Sequence, residues 1–344
     1  MRIRVVVATV TVLAWVGVAP VAQAAPLKME YVKTTQLAPG TTVSGHRVGG
    51  LSGIDYDARS GELWAETDDK GDYGPARVYH FPASEVLSGT GIHPVEVRLQ
   101  GLAQGTYDIE SLRLLPDGNL LVSSEGLASS KSQPFVREYT RAGAPVRDVP
   151  VPPEFAPDFA HHGIRSNLGF EGASVSGGTT SLLAESALAQ DGPIAAPGVP
   201  SRARLVQIHP RGGLDEYVYR SDPVPAGASG DSGNSELLAL NSTDYLVLER
   251  GFDPKTKRNH VRVYWTTTRG AQRVAAGTEK LSGTERAMDK QLVFDFAKLP
   301  DNPDNVEGMA FGPRLPDGRR SLILVSDDNF SASQKTLFHV LAIG

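Results

Sequence analysis

Residues Asn305 to Phe311 read NVEGMAF, and four other stretches of the chain read alike. They are GLSGIDYD from Gly50, DIESLRL from Asp108, GFEGASV from Gly169 and NSELLAL from Asn234. Four of the five copies carry a glutamate at the matching place, Glu110, Glu171, Glu236 and Glu307; the first has Ser52. The copies recur roughly every 60 to 70 residues, and repetition at such a period signals an array or a propeller.

Each copy continues in the same way, through a turn into an apolar strand that ends in an acid. Gly61 precedes ELWAETDD, ending at Asp68 and Asp69; Asp117-Gly118 precedes NLLVSSEG, ending at Glu125. Gly177-Gly178 precedes SLLAES with Glu185, Asn241 to Asp244 precede YLVLERG with Glu249, and LPDGRR precedes SLILVSDDNF with Asp327 and Asp328. Asp-Gly and Gly-Gly between apolar runs are hairpin signals. Third strands follow at ARVYHF, PFVREYT, ARLVQIHP, HVRVYWT and TLFHVLA, and fourth strands at PVEVRL, VRDVPV, DEYVYR and QLVFDF. The last repeat runs out of chain after its third strand. KMEYVKTTQL near the N-terminus can fill that place and close the ring, which is how a propeller hides its edges. The expected fold is therefore all-β: one propeller of five blades, or six if the stretch from Gly270 to Phe296 hides a degenerate blade. No helix of clear period is evident.

Composition bounds the rest. At 344 residues with 36 Gly and 24 Pro, the chain suits one large strand-rich domain with many turns. Arg2 and Arg4, an apolar run of about 14 residues and Ala22-Gln23-Ala24 read as a secretory signal over residues 1–24, too short to span a bilayer comfortably. The expected product is residues 25–344, soluble, monomeric and secreted or periplasmic, with no membrane contact after cleavage. Its formal charge is about −7, that is, −5 less the two arginines. With no cysteine, disulfides and thiolate metal sites are excluded. With no Lys/Arg run, a nucleic-acid partner is not expected.

The two strands of a hairpin run antiparallel, so an acid starting the first and an acid ending the second share one rim. Five such hairpins around one axis would gather Asp68, Asp69, Glu110, Glu125, Glu171, Glu185, Glu236, Glu249, Glu307, Asp327 and Asp328 at one mouth of the channel. Crowded carboxylates take up protons, find cations or bind a metal. All-oxygen donors favour Ca²⁺. The alternative reading is that each motif glutamate only bonds backbone N–H groups and holds neighbouring blades together. Lys70, Arg165 and Arg250 stand beside these acids and suit a small anionic substrate, with surface or salt-bridging roles as the alternative.

NVEGMAFGP with LVSDDNFSASQKTLFHVLAI, GGLSGIDYD, DIESLRLLPDGNLLVSSEG and RSNLGFEGAS resembles the exported "esterase-like activity of phytase" family over nearly all of the expected mature chain. More distantly it is similar to calcium-dependent β-propeller phytases. The resemblance implies a β-propeller and hydrolysis of phosphoesters or esters, with calcium in an acidic channel mouth. Two other motifs mislead. His161-His162-Gly163-Ile164-Arg165 resembles the core of histidine acid phosphatases, but the leading Arg is a His and the chain has no His-Asp pair. Gly230-Asp231-Ser232-Gly233 resembles a protease nucleophile segment without a matching histidine context. No Gly-x-Ser-x-Gly elbow exists, so a serine esterase has no visible nucleophile. Three functions stay open: a calcium-dependent phosphoester hydrolase, a non-catalytic ligand- or calcium-binding propeller, and a metal-dependent lactonase or carboxylesterase.

Overall fold

The computed structural model describes residues 27–344; the signal segment read over residues 1–24 lies outside the described residues. Five four-stranded antiparallel sheets form the molecule. Blade 1 comprises Ile54–Asp57, Glu62–Glu66, Arg77–Pro82 and Val95–Arg98. Blade 2 comprises Ile109–Leu114, Leu120–Ser124, Phe135–Tyr139 and Pro145–Val149. Phe170–Ser176, Thr179–Ala184, Ser201–Ile208 and Leu214–Ser221 make blade 3. Asp231–Ala239, Asp244–Asp253, Arg258–Thr267 and Asp289–Asp295 make blade 4. Blade 5 is Asn305–Arg314, Arg320–Asp327 and Leu337–Ile343, completed by the N-terminal strand Met29–Gln36.

The first strands of the blades touch one another in sequence, and that of blade 5 touches that of blade 1, so they line a common axis. Met29–Gln36 pairs antiparallel with Leu337–Ile343, from Met29 opposite Ile343 to Gln36 opposite Leu337. The ring is thus closed by hydrogen bonds between the two ends of the chain. The core lies in slabs between adjacent blades. Ile54, Phe81, Ile323 and Phe338 fill the slab between blades 5 and 1. Val206 and Phe170 pack with Leu121 and Val136 between blades 2 and 3. Inner strands buried on both faces read as near-continuous apolar runs; SLILV at Ser321 to Val325 is buried throughout.

There is no sixth blade among the described residues. Asp289–Asp295 is the outer strand of blade 4, and the chain before it crosses blade 3, where Val274 bridges Glu216 and Met288 N–H donates to Val218 O. One short helix, Ala83–Ser88, follows the third strand of blade 1, too short to show a period in sequence. The hairpin turns predicted at Gly118 and Gly318 have φ of 97° and 85°, a region that side chains with a Cβ rarely enter.

Near its start, the first strand in blades 2 to 5 carries a bulge. Glu110, Glu171 and Glu307 are the unpaired residues in blades 2, 3 and 5. In blade 4 the unpaired residue is Ser235, because Asn234 pairs with Glu249 and Glu236 with Leu248. A bulge re-aims one side chain out of the pleat. Blade 4 therefore runs one residue out of step with the alignment read from sequence.

Candidate functional site

Strand register assigns each blade two positions at the mouth of the channel. The bulge position holds Ser52, Glu110, Glu171, Ser235 and Glu307 in blades 1 to 5. The strand-end position holds Asp68, Glu125, Glu185, Arg250 and Asp327. A third position, two residues before the bulge, holds Gly50, Asp108, Gly169, Gly233 and Asn305. Glycine there leaves room for acids. A Cβ on Gly169 would meet Glu125 at 2.2 Å, and one on Gly233 would meet Glu185 at 2.3 Å. Blade 2 has an acid in all three places. Asp108, Glu110 and Glu125 are buried and offer one oxygen each within 4.8 Å of one another. In blade 5 the amide of Asn305 takes the third place and donates to Glu307 Oε1 at 3.0 Å and Asp327 Oδ2 at 3.3 Å.

Two cations serve this cluster. Lys70 Nζ lies 2.5 Å from Asp108 Oδ2 and 3.3 Å from Asn167 Oδ1. Arg250 Nη2 lies 3.2 Å from Glu307 Oε1 and 3.8 Å from Glu185 Oε1. Against them stand Asp68, Asp108, Glu110, Glu125, Glu171, Glu185, Glu307 and Asp327, a large surplus of acid. Burial first, and mutual repulsion next, push Asp68, Glu110, Glu125, Glu171 and Asp327 well above the usual carboxylate range. Burial raises Glu185 to about 7 although Arg250 opposes it. Lys70 is held above its ordinary value by Asp108, against the effect of burial. Asp108 Oδ1 is buried without a partner. A cleft of about 920 Å³ opens above, lined by Asp68, Lys70, Glu171, Arg250, Glu307 and Asn329 among others.

Four acids expected at the mouth are engaged elsewhere. Glu236 lies on the inner strand but meets Arg113 Nη2 at 2.6 Å and the Leu237 N–H at 2.8 Å. Glu249 accepts from Tyr219 at 2.6 Å, Lys290 at 2.5 Å and the Asp222 N–H at 2.9 Å. Both displacements follow from the slipped register of blade 4. Asp69 pairs with buried Arg77 at 2.6 Å and accepts from the N–H groups of Gly71, Asp72 and Tyr73, so it shapes a loop. Asp328 binds Arg47 at 2.7 Å and the Gly50 N–H at 2.9 Å, tying blade 5 to blade 1. Arg165 donates to Ala187 O and Gly192 O, and together with Asp108 and Glu125 it lines a small pocket distinct from the main cleft. Lys70 and Arg250 are at the cleft.

Two residues were missed. Asp108 stands two before Glu110 in DIES, and only the strand register sets it beside the other acids. Glu66 hides inside an apolar strand; Ser52 Oγ donates to its Oε1 at 2.5 Å, Oε2 has no partner, and burial holds it well above its ordinary value.

Fold and mouth together define a five-bladed propeller with a buried acidic opening. The chain belongs to the Phytase-like family, described as esterase-like activity of phytase, whose model matches residues 46–330. Membership supports a hydrolase-like propeller. No curated protein matches at the sequence level. Among solved structures, an endo-arabinase from Bacteroides thetaiotaomicron VPI-5482 is similar with TM-score 0.48 and 8% identity, over 88% of this chain and 96% of that one. A protein of unknown function from Dyadobacter fermentans DSM 18053 is similar with TM-score 0.43 and 12% identity, over 92% and 99%. The tail fiber of Staphylococcus aureus phage P68 gives TM-score 0.35 and 12% identity, over 92% of this chain and 52% of that one. Likeness at this level carries no argument about function.

Proposed function

We propose that the protein is an exported hydrolase that cleaves phosphoesters at the acidic mouth, with calcium as its resident ion. The observation that supports this is the buried triplet Asp108, Glu110 and Glu125, with ligand oxygens within 4.8 Å of one another and Asp108 Oδ1 unpartnered. The donor set is all oxygen and strongly anionic, which fits a hard cation such as Ca²⁺. These three residues would hold it. Bound calcium would supply the positive charge that neutralises a phosphate and polarises water.

The chain's own residues supply the rest. Arg250 faces the cleft from between Glu185 and Glu307, and its planar guanidinium suits two phosphate oxygens at once. Glu185, pushed up to about 7, is shared between its acid and base forms near neutral pH, and its acid form can give a leaving alkoxide a proton. The buried walls keep bulk water from screening these charges.

The assay is release of phosphate from phytate and from an aryl phosphate, with and without a chelator. Chelator-sensitive turnover is expected; equal, negligible turnover in both arms sinks the proposal. The family description favours a second reading, cleavage of carboxylic esters or lactones by the same mouth. Turnover of lactones with none of phosphoesters selects it. Calcium-dependent melting without turnover of either selects a non-catalytic calcium-binding propeller.

A further inference from the structure

Lys70 brings a cation to the edge of the acidic triplet, at Asp108. Its ammonium lies 2.5 Å from Asp108 Oδ2, and Glu110 and Glu125 are close enough to act on its charge. One ammonium answers only one of the three carboxyl groups, and Asp108 keeps a buried oxygen, Oδ1, with no partner even with Lys70 in place. The residue itself is only 1% exposed. The triplet thus holds coordinating capacity that its tethered cation does not use.

The geometry also shows what can move. Asp69 binds the backbone N–H groups of Gly71, Asp72 and Tyr73 and the buried guanidinium of Arg77, and Lys70 O accepts from Gly105 N–H at 2.9 Å. The backbone at Lys70 is therefore pinned. Its side chain is a flexible stem, 34% exposed toward the cleft, held at its tip by Asp108 and Asn167. Arg250 contrasts with it: its guanidinium is wedged between carboxylates from blades 3 and 5 and is half as exposed, at 17%.

We propose that Lys70 is a built-in competitor for the cation place among Asp108, Glu110 and Glu125. A divalent ion enters by expelling its ammonium, and the released side chain then faces the cleft as a group that holds the substrate's anion. This rests on the calcium reading of the same site. It makes metal loading and the readiness of the anion-binding lysine one event: the empty triplet sequesters Lys70, and the filled triplet repels it.

Calorimetric titration of calcium into the wild type, Lys70→Met and Lys70→Arg tests the exchange without any measure of turnover. Removing a unit charge from beside the ion is expected to tighten calcium binding at least about tenfold in Lys70→Met. Lys70→Arg, which keeps the charge, should stay within about threefold of wild type. A wild type that binds calcium and a Lys70→Met variant that binds it no more tightly overturn this inference and leave the calcium reading standing. If neither binds calcium, both fall. A measurement on the wild type guards against misfolding of the variant. Amine acylation of Lys70, read by peptide mass spectrometry against exposed Lys280, should speed up on adding calcium. Unchanged or slower labelling refutes the exchange.

Discussion

Replacing Arg113 with Met should cost the fold far more than any surface change, and the cost should depend on pH. Arg113 comes from the inner strand of blade 2 and is 2% exposed. Its Nε donates to Ala173 O of blade 3 at 2.6 Å, and Nη1 donates to Ile54 O of blade 1 at 2.5 Å. Nη2 donates to Leu237 O of blade 4 at 3.1 Å and meets Glu236 at 2.6 Å. Glu236 in turn accepts from Met309 N–H of blade 5 at 3.4 Å. One guanidinium and one carboxylate thus join all five blades at the axis. Breaking a buried pair by removing one partner typically costs about 3–5 kcal/mol, since the other charge is left stranded. The carbonyls that lose a donor push toward the upper end. Burial already raises Glu236 to about 7 against the pull of Arg113. Without Arg113 it rises further, so the stranded group is neutral in acid and charged in alkali. A raised folded-state value means stability present in acid and lost as pH climbs through that value. Urea unfolding should therefore show the full deficit at pH 8 and a smaller one at pH 5. Adding Glu236→Gln should recover at least about half of the loss at pH 8. A deficit under about 1 kcal/mol at pH 8, or no recovery in the double variant, refutes the view of Arg113 as the hub of the ring.

The remaining predictions concern the mouth. The calcium-free protein should melt at a lower temperature as pH rises from about 4.5 to about 7, since Glu110, Glu171, Glu185 and Asp327 all have values raised by burial; calcium should flatten that slope, and a melting temperature that rises with pH without calcium opposes the reading. Asp108→Asn should weaken calcium binding by about tenfold or more while leaving the calcium-free melting temperature unchanged or higher, because one of several repelling charges is gone; unchanged affinity places the ion elsewhere. Asp69→Asn should lower the melting temperature by stranding Arg77 yet leave calcium affinity within about twofold, and a large affinity loss would return Asp69 to the ligand set.

Much of the fold was readable because propeller physics writes itself locally. Asp-Gly turns, apolar strands of even spacing and a last blade one strand short are each signals of a hairpin array that must close. That Met29–Gln36 completes blade 5 follows from the need to cover an edge. The short helix between the third and fourth strands of blade 1 and the chain crossing blade 3 were not legible, since each is held by tertiary contacts.

The site was half legible, and the reason lies in the alternation of strand side chains. Consecutive residues of a strand point to opposite faces, so doubled acids at a strand end cannot both face the channel. Asp68 and Asp327 face it; Asp69 and Asp328 turn away and find Arg77 and Arg47. Blade 4 shows the same rule acting through a slip of one residue. Asn234-Ser235-Glu236 looks like Asn305-Val306-Glu307, yet the bulge falls on Ser235 in one and on Glu307 in the other. The slip sends Glu236 down the axis to Arg113 and turns Glu249 toward Lys290. It also brings Arg250 into the place where four other blades have an acid. Only strand pairing, never the letters alone, could distinguish the two alignments. A fully acidic ring would have repelled a phosphate as strongly as it held a metal. The out-of-step blade sets a fixed cation, Arg250, among the carboxylates, and on the proposed reading this is what would let one opening serve both calcium and a phosphate.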